Sequence, residues 1–233
     1  MKMIKEKKLG FFTRGVISHT QFEKLSFKSN SYQNDIIDFS NAYEWHRYLW
    51  RLFPNRPDDQ RDFLFRWDNY SNTSVIYLLS QYEPKILTTL GSWKTKDIFF
   101  PFQNGDFFQF QIRVNPVKVI CPEGGESRKR KRVPLFENSQ IMSWFEKKAL
   151  QNGFKIIPEK LRLEKSPPVF CYKLKSEKSF HHNVNIQGIL QVVEEDLFLQ
   201  AITQGIGKGK AIGFGLLLLQ PFPNSTLLSQ GAL

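Results

Sequence analysis

The sequence predicts an α+β fold in which two small modules follow one another along the chain. Runs of two-residue alternation, typical of strands, are interspersed with segments whose apolar residues recur at helical spacing. In each half of the chain the predicted order has helices between strands, as in a split β-α-β module packed on a small sheet. We therefore expect two such modules in tandem, one formed by residues 1–133 and the other by residues 134–233.

The first module is predicted to open with a strand and a helix. Residues 11–19 alternate as a strand does, and the polar residues 21–40 predict a loop or an insertion. Ser40 or Asn41 can cap the helix that follows, and the Pro-Asn-Arg-Pro sequence at 54–57 stops it. The residues that recur at helical spacing along its apolar face are Ala42, Trp45, Leu49, Leu52 and Phe53.

Three more strands are predicted to complete this module. Residues 63–67 and 74–81 have strand character and are joined by a polar turn. The Lys/Thr-rich segment after them is compatible with a short helix, and residues 106–120 alternate well enough to form one long strand. Residues 121–132 then break the pattern with one proline, two glycines and five consecutive cations.

The second module is predicted to contain two helices and four strands. Its first helix spans residues 134–152, and Gly153 is a plausible stop for it. A short amphipathic helix is expected at residues 194–203. The strands are expected at residues 154–163, 169–174, 184–193 and 212–219.

The charge balance favours an anionic partner. The 233 residues contain 33 Lys and Arg against 22 Asp and Glu, a net charge of +11, which suits nucleic acid or an acidic membrane surface. Cys121 and Cys171 stand alone, so we expect reduced thiols and no zinc site. Because the sequence has no signal-peptide pattern and no apolar run long enough to span a bilayer, we expect a cytoplasmic protein with no membrane partner. We also expect no metal and no cofactor.

A glycine-rich segment near the C-terminus is the first candidate binding element. Glycines let a backbone approach phosphate oxygens closely, and Gly207, Lys208, Gly209 and Lys210 combine this property with positive charge. The predicted order is helix, loop, strand, whereas Walker and dinucleotide-binding loops run strand, loop, helix and have a different glycine spacing. The segment therefore predicts an anion-facing loop of another kind, with a tight structural loop as the alternative.

His46 is the candidate for proton transfer among the four histidines. On the predicted helix it lies beside the apolar face, together with Tyr43, Arg47 and Trp50. Such a flank can move protons and hold a phosphate, although a structural role for the histidine is the alternative. His181 and His182 have no carboxylate or cysteine at metal-ligand spacing, and we expect them to be solvated.

The run of five cations is the second candidate binding element. Its residues are Arg128, Lys129, Arg130, Lys131 and Arg132. A flexible basic arm can follow the phosphates of an RNA helix, whose major groove is too deep and narrow for ordinary side-chain contacts. A disordered basic loop or a localisation signal is the alternative.

Three segments of the chain together resemble one known family. They are N-A-Y-E-W-H-R at 41–47, L-W-R-L-F-P-N-R-P-D-D-Q-R-D-F-L-F-R at 49–66 and Q-G-I-G-K-G-K-A-I-G-F-G-L-L-L-L at 204–219, with V-N-P-V-K and K-R-V-P-L between them. This pattern is similar to that of the CasE family of CRISPR RNA-processing endoribonucleases from type I-E systems. The similarity extends over most of the chain, apart from residues 1–10 and part of residues 21–40.

The resemblance implies two ferredoxin-like domains and a metal-independent endoribonuclease. Such an enzyme cuts the repeat hairpin of precursor CRISPR RNA and stays bound to its product with the other subunits of Cascade, especially the backbone subunit. His46 and Tyr43 stand at the family's catalytic histidine and its neighbouring tyrosine. Residues 207–210 occupy the family's glycine-rich loop, and residues 128–132 its basic element along the hairpin stem, whereas Arg47 has no fixed counterpart.

Other functions remain compatible with the sequence alone. The first is an RNA-hairpin-binding scaffold that does not cleave, in which His46 is structural. The second is a basic protein that binds DNA or membrane surfaces, and a nucleotide-hydrolysing enzyme is disfavoured by the failed Walker spacing. Cleavage of a repeat hairpin distinguishes the endoribonuclease from all three.

Overall fold

The computed structural model of the protein describes residues 8–19, 40–54, 61–86, 91–99, 101–120, 130–172 and 179–222. Within these residues the chain forms an α+β structure of antiparallel sheets and three α-helices. The predicted α+β class is therefore confirmed. No helix among the described residues is long and apolar enough to cross a membrane.

The first sheet has four strands in the order β2-β3-β1-β4. Its strands are β1 (Lys8–Ser18), β2 (Phe63–Asn69), β3 (Thr73–Ser80) and β4 (Ser92–Phe99). Helix α1 (Ala42–Trp50) connects β1 to β2 along the chain. The apolar face predicted for this helix is buried, including Leu52 and Phe53 just beyond its end.

The second sheet has five strands, in which β9 pairs with β10 beside the path β11-β5-β10-β8. Its strands are β5 (Phe107–Val114), β8 (Phe154–Ile156), β9 (Arg162–Cys171), β10 (Ser179–Val192) and β11 (Leu217–Pro221). Two helices accompany it, α2 (Asn138–Gln151) and α3 (Glu195–Gln204). A separate two-stranded ribbon is formed by β6 (Val117–Ile120) and β7 (Lys131–Pro134).

Two apolar cores hold these elements together. One lies between α1 and the first sheet, where Trp45, Phe65 and Leu78 are buried with residues of the glycine-rich segment. The other lies between the second sheet and its helices and also includes Leu64 and Leu79 of the first sheet. Burial of large apolar side chains is the main stabilising contribution in such a fold. Because the first sheet contributes to both cores, the two sheets pack as one body.

A buried arginine joins the two sheets directly. Arg113 on β5 donates hydrogen bonds to the backbone carbonyl of Trp67 at 2.6 Å and to the carboxylate of Asp68 at 2.6 Å. Its Nε also donates to Asn185 Oδ1 on β10 at 3.3 Å. A buried cation needs such partners because losing its hydration is costly. The contact aligns the end of β2 with the centre of the second sheet.

Two predictions for the middle of the chain are wrong. The described part of the Lys/Thr-rich segment contains no helix, because residues Ser92–Phe99 pair with β1 as the edge strand β4. The single long strand predicted at residues 106–120 is divided at Asn115 and Pro116 into β5 and β6. Pro116 has no N–H for the ladder, so β6 leaves the sheet and pairs with β7 instead.

The position of β5 also differs from the prediction. Residues 106–120 were expected to close the first module, but β5 pairs with β10 and β11 in the centre of the second sheet. The alternation of β5 specifies which side chains are buried but carries no information about the partner strand.

Several element ends in the second half are shifted. Helix α2 begins at Asn138 and not at Pro134, because Lys131–Pro134 are paired in the ribbon. The strand predicted at residues 154–163 is interrupted by a 3₁₀ turn at Pro158–Lys160. The last strand begins at Leu217, since Ile212–Leu216 form the end of the glycine-rich segment. Gly153 does follow α2 with a φ of 76°, as the prediction of a helix stop requires.

Candidate active site

The start of α1 is held by one buried asparagine. Asn41 Oδ1 accepts a hydrogen bond from the backbone N–H of Tyr43 at 3.1 Å, which confirms one of the two predicted caps. The same side chain accepts from the N–H of Tyr172 at 3.2 Å and donates to its carbonyl at 2.9 Å. Asn41 therefore fixes the first turn of α1 against the end of β9, two elements far apart in the sequence.

His46 lies half-buried on the flank of α1 and is held by aromatic neighbours. Its ring stacks on that of Phe65 at a centroid distance of 6.4 Å and lies 6.2 Å from the ring of Phe63. One helical turn later, Trp50 Nε1 donates a hydrogen bond to His46 Nε2 at 3.0 Å. Since an indole N–H only donates, His46 Nε2 must accept, and the neutral imidazole in this geometry carries its proton on Nδ1.

The end of the glycine-rich segment packs against this helix and is buried there. Ile212 and Phe214 are buried in the core around α1. Gly213 has a φ of 83°, and a Cβ at this position would collide with the ring of Trp67. A glycine is required here by both the backbone conformation and the close approach. The segment is thereby anchored so that the residues just before Ile212 lie beside His46.

A cavity of about 530 Å³ opens between α1 and the glycine-rich segment. It is lined by His46, Trp50, Arg61 and residues 207–211. Among the described residues, this lining includes three cations and no carboxylate. The cavity therefore brings the predicted histidine and the predicted glycine loop together in one place, although they are about 160 residues apart.

The positive charges around this cavity repel one another. The pKa of Lys210 is lowered by burial and by the neighbouring positive charges of Arg61 and Lys208. Burial also lowers the pKa of Arg61, and its Nε has no hydrogen-bond partner among the described residues. Cations held close together repel one another and lose hydration, so an anion that binds between them stabilises them. The site is thus suited to a phosphate group next to an imidazole.

A basic groove continues from this cavity toward the ribbon. It has a volume of about 580 Å³, shares Gly207, Lys208 and Lys210 with the cavity, and reaches Arg132 on β7. Helix α2 contributes the half-buried ring of Trp144 and the amines of Lys147 and Lys148. A groove lined with cations from Lys208 and Lys210 to Arg132 suits the phosphate backbone of a nucleic acid.

The predicted site residues fall into three groups. His46 and the four residues 207–210 line the cavity. Tyr43 lies one turn before His46 on α1 but is not among the residues that line the cavity, and Arg47 pairs with Glu44 at 3.2 Å. In the basic run, Arg132 lines the groove, Arg130 and Lys131 are exposed, and Arg128 and Lys129 lie outside the described residues.

Three cations of the site were not singled out from the sequence. Arg61 lies two residues before β2, and no spacing in the sequence marks it. Lys147 is exposed on α2, the usual place for lysine, whereas Lys148 is half-buried on the face that also carries Ile141 and Phe145. Only the packing of these elements around the cavity and groove distinguishes them from other surface cations.

The prediction that His181 and His182 are solvated is wrong. Both side chains are half-buried on β10, and burial lowers the pKa of each. His181 Nδ1 lies 3.4 Å from Asn115 Nδ2, and the His182 ring lies 4.9 Å from that of Phe136. Packing against these neighbours takes both rings partly out of the solvent.

The cysteines and the other potential metal ligands are dispersed. Cys171 at the end of β9 forms no disulfide within the described residues, and Cys121 lies outside them. Within the part of the chain that the structure describes, no three His, Cys, Asp or Glu side chains come together as a metal site would need.

Comparison with protein families and curated proteins gives consistent relatives. The model of a family described as CRISPR associated protein matches residues 19–221. The chain is 32% identical over 188 residues to the CRISPR system Cascade subunit CasE of Escherichia coli K12, covering 78% of this chain and 92% of that protein. It is 25% identical over 209 residues to the CRISPR-associated endoribonuclease Cse3 of Thermus thermophilus, covering 79% and 92%.

Solved structures agree with these relatives. The crystal structure of Cas6e from Escherichia coli K-12 superposes with a TM-score of 0.68 at 26% identity and covers 91% of this chain and 100% of its own. A structure of Cse3 bound to a 19-nucleotide RNA gives a TM-score of 0.72 at 21% identity, with coverage of 91% and 100%. At this lower identity the likeness concerns the fold.

Proposed function

The chain belongs to the CRISPR-associated protein family of CasE and Cse3, and we propose that it is the endoribonuclease that processes precursor CRISPR RNA. It binds the repeat hairpin, cleaves it, and retains the mature guide RNA together with other Cascade subunits, especially the backbone subunit, in the cytoplasm. The observation that carries this proposal is the cavity in which His46 lies beside Arg61, Lys208 and Lys210.

We further propose that the chain consists of two ferredoxin-like domains. In a split β-α-β module the first and third strands are central and adjacent, with the second and fourth at the edges. The first sheet, β2-β3-β1-β4, fits this order. The second fits it when β5, β8, β10 and β11 are taken as its four strands, and the domains then divide between β4 and β5.

The basic groove is the proposed path of the hairpin stem. Arg132 at one end and Lys208 and Lys210 at the other would follow the phosphates of one strand toward the cavity. An RNA helix is recognised largely by its shape and by phosphate and 2′-hydroxyl contacts. The ribbon β6–β7, from which the basic run extends, places further cations along the stem.

Neutralising the ribbon should weaken the salt dependence of binding. Each phosphate contact releases condensed counterions, so replacing Arg130, Lys131 and Arg132 by glutamine should reduce the slope of log K against log[salt] by about two to three. Affinity for the hairpin, measured between low and moderate salt, checks this. Removing the same charge at Lys94, Lys96 and Lys155, which do not line the groove, should leave the slope nearly unchanged. An equal slope in both variants would exclude the ribbon from the interface.

The proposed chemistry uses the RNA's own 2′-hydroxyl and needs no metal ion. The 2′-oxygen attacks the adjacent phosphorus while the bond to the leaving 5′-oxygen breaks, so these three atoms must be brought into line. His46 transfers a proton to or from one of the two oxygens. Arg61, Lys208 and Lys210 stabilise the charge that develops on the phosphate, and Tyr43 orients the reacting group from the same helix. Arg47, which pairs with Glu44, is proposed to contact the RNA from the same helix.

Trp50 is proposed to select the tautomer of His46 before RNA binds. Trp50→Phe keeps the aromatic contact with Phe63 but removes the N–H that His46 Nε2 accepts. We expect nitrogen NMR at about pH 8.5, where histidine is neutral, to show the Nδ1–H form in the wild type and a larger share of the Nε2–H form in the variant. Trp93→Phe, which removes an indole elsewhere in the first sheet, should leave the spectrum of His46 unchanged. The assignment is wrong if both variants have the wild-type tautomer.

The function itself is tested by incubating the protein with the repeat hairpin from the same genome in excess EDTA. The proposal expects one cut within the hairpin and continued binding of the product. Binding without cleavage under these conditions, with or without added divalent metal, would identify an RNA-binding scaffold. Cleavage that returns only with added metal would contradict metal independence alone.

A further inference from the structure

Exposed aromatic rings form a second surface along β9 and β10, and none of them lines the cavity beside His46. Phe136, Phe170 and Phe180 are exposed to 60%, 38% and 70%, and the half-buried ring of His182 lies among them. We call these four residues the aromatic strip. Phenylalanines are usually buried, so a group of them at the surface indicates a binding surface.

The strip consists of two neighbouring pairs of rings. Phe170 on β9 and Phe180 on β10 are direct cross-strand partners, which places their side chains on one face. His182 lies two residues after Phe180 on β10, where the pairing with β9 shifts its register between His181 and Asn183. The ring of Phe136 lies 4.9 Å from that of His182. The two pairs of rings thus lie at the same end of β9 and β10.

Positive charge borders the strip. Arg130, Lys131 and Arg132 are exposed and lie four to six residues before Phe136 in the sequence, and Arg132 also lines the basic groove. Lys165 on β9 is exposed and close enough to His182 for its charge to oppose protonation of that ring. At its other end the strip reaches α1, since Phe170 forms a β-bridge with Asn41. The strip therefore connects the ribbon with the start of the helix that carries His46.

We propose that the aromatic strip binds unpaired nucleotides that flank the RNA hairpin. This proposal rests on the proposed function, and it adds a second RNA-binding site to the basic groove. Surfaces that combine exposed rings with cations bind single strands by stacking, whereas the bases of a double-helical stem are already paired and stacked. The flanking cations and the continuity with the groove favour RNA over an apolar protein partner.

The test compares two RNAs and two protein variants. One RNA is the repeat hairpin alone, and the other carries an unpaired extension on each side. We expect the wild type to bind the extended RNA about tenfold or more tightly than the hairpin. Phe136→Ala combined with Phe180→Ala should lose this advantage and keep the affinity for the hairpin alone. Phe99→Ala, which removes an exposed ring from β4 in the other sheet, should behave as the wild type does.

A third RNA separates stacking from simple phosphate attraction. In it the unpaired extensions lack bases but keep the sugar and phosphate groups. We expect the wild type to bind this RNA no better than the hairpin, because the rings have nothing to stack on. An advantage that persists without bases, or in the double variant, overturns the proposal.

Two more outcomes would assign the strip a different role. If the double variant keeps the advantage of the extended RNA but no longer copurifies with the other subunits of the complex, the strip is a protein interface and the proposal is wrong. Equal loss of affinity for both RNAs would indicate a change in folding, which circular dichroism and a melting curve check, and the Phe180→Ala single variant then decides. If the wild type cleaves none of the RNAs, the proposed function is wrong. The binding comparison still tests the aromatic strip, because it does not depend on cleavage.

Discussion

Replacing His46 by alanine should lower the rate of hairpin cleavage by about 10²–10⁴-fold, the usual contribution of one acid–base group. Affinity for the hairpin should change little, because the groove that holds the stem is lined by other residues. Single-turnover cleavage and equilibrium binding, measured on the same RNA in excess EDTA, separate the two effects.

His19 offers a matched control for this change. Its Nε2 lies 2.8 Å from Ser74 Oγ at the end of the first sheet, and it does not line the cavity. His19→Ala should therefore cleave at the wild-type rate. If His46→Ala also cleaves at that rate, His46 is a structural residue of the aromatic cluster around Phe63 and Phe65. If binding falls together with cleavage, the histidine holds the RNA and does not act on the bond.

Lys210→Met should slow cleavage by about 10²–10³-fold, the range found when one group that stabilises a transition-state charge is removed. The ammonium of Lys210 is partly desolvated beside Arg61 and Lys208, where an added negative charge on the phosphate is strongly favoured. Binding of uncleaved hairpin should weaken much less, since many cations of the groove share the phosphate contacts. Lys155→Met, a change at an exposed lysine on β8, controls for loss of one positive charge.

The pH dependence of cleavage tests whether the charge of Lys210 is needed. The lowered pKa of Lys210 means that this side chain loses its proton at a lower pH than an ordinary lysine. Cleavage should therefore decline on the alkaline side in the wild type. Lys210→Arg keeps the charge at every accessible pH, so its decline should begin at higher pH. If the cleavage rates of both proteins decline over the same alkaline pH range, another group causes the decline.

The site depends on packing as much as on its charged residues. Ile212 and Phe214 belong to the core around α1, so the loop that carries Lys208 and Lys210 is part of the same packed unit as His46. Asn41 ties that helix to β9 in the other sheet. A substitution such as Gly213→Ala should therefore disturb the cavity as well as stability, because the added Cβ collides with Trp67.

Local elements, and the types of residue that could act, were predictable from the sequence. The cap at Asn41, the buried face of α1 and the stop at Gly153 depend on residues within one or two turns of the chain, and all three predictions were confirmed. His46 and the glycine loop were recognised because their spacing and chemistry are local features as well. The net positive charge likewise needs no structure to be counted.

The pairing of the strands and the assembly of the site depend on the tertiary structure. The alternation of β5 has the same form whichever strand it pairs with, so its place in the second sheet was not predictable from periodicity. No local pattern marks Arg61, Lys147 or Lys148 as site residues, and only packing brings them to the cavity and groove. The difference is one of range: helix and cap signals act between residues a few positions apart, whereas strand pairing and the site depend on free-energy differences between contacts far apart in the chain.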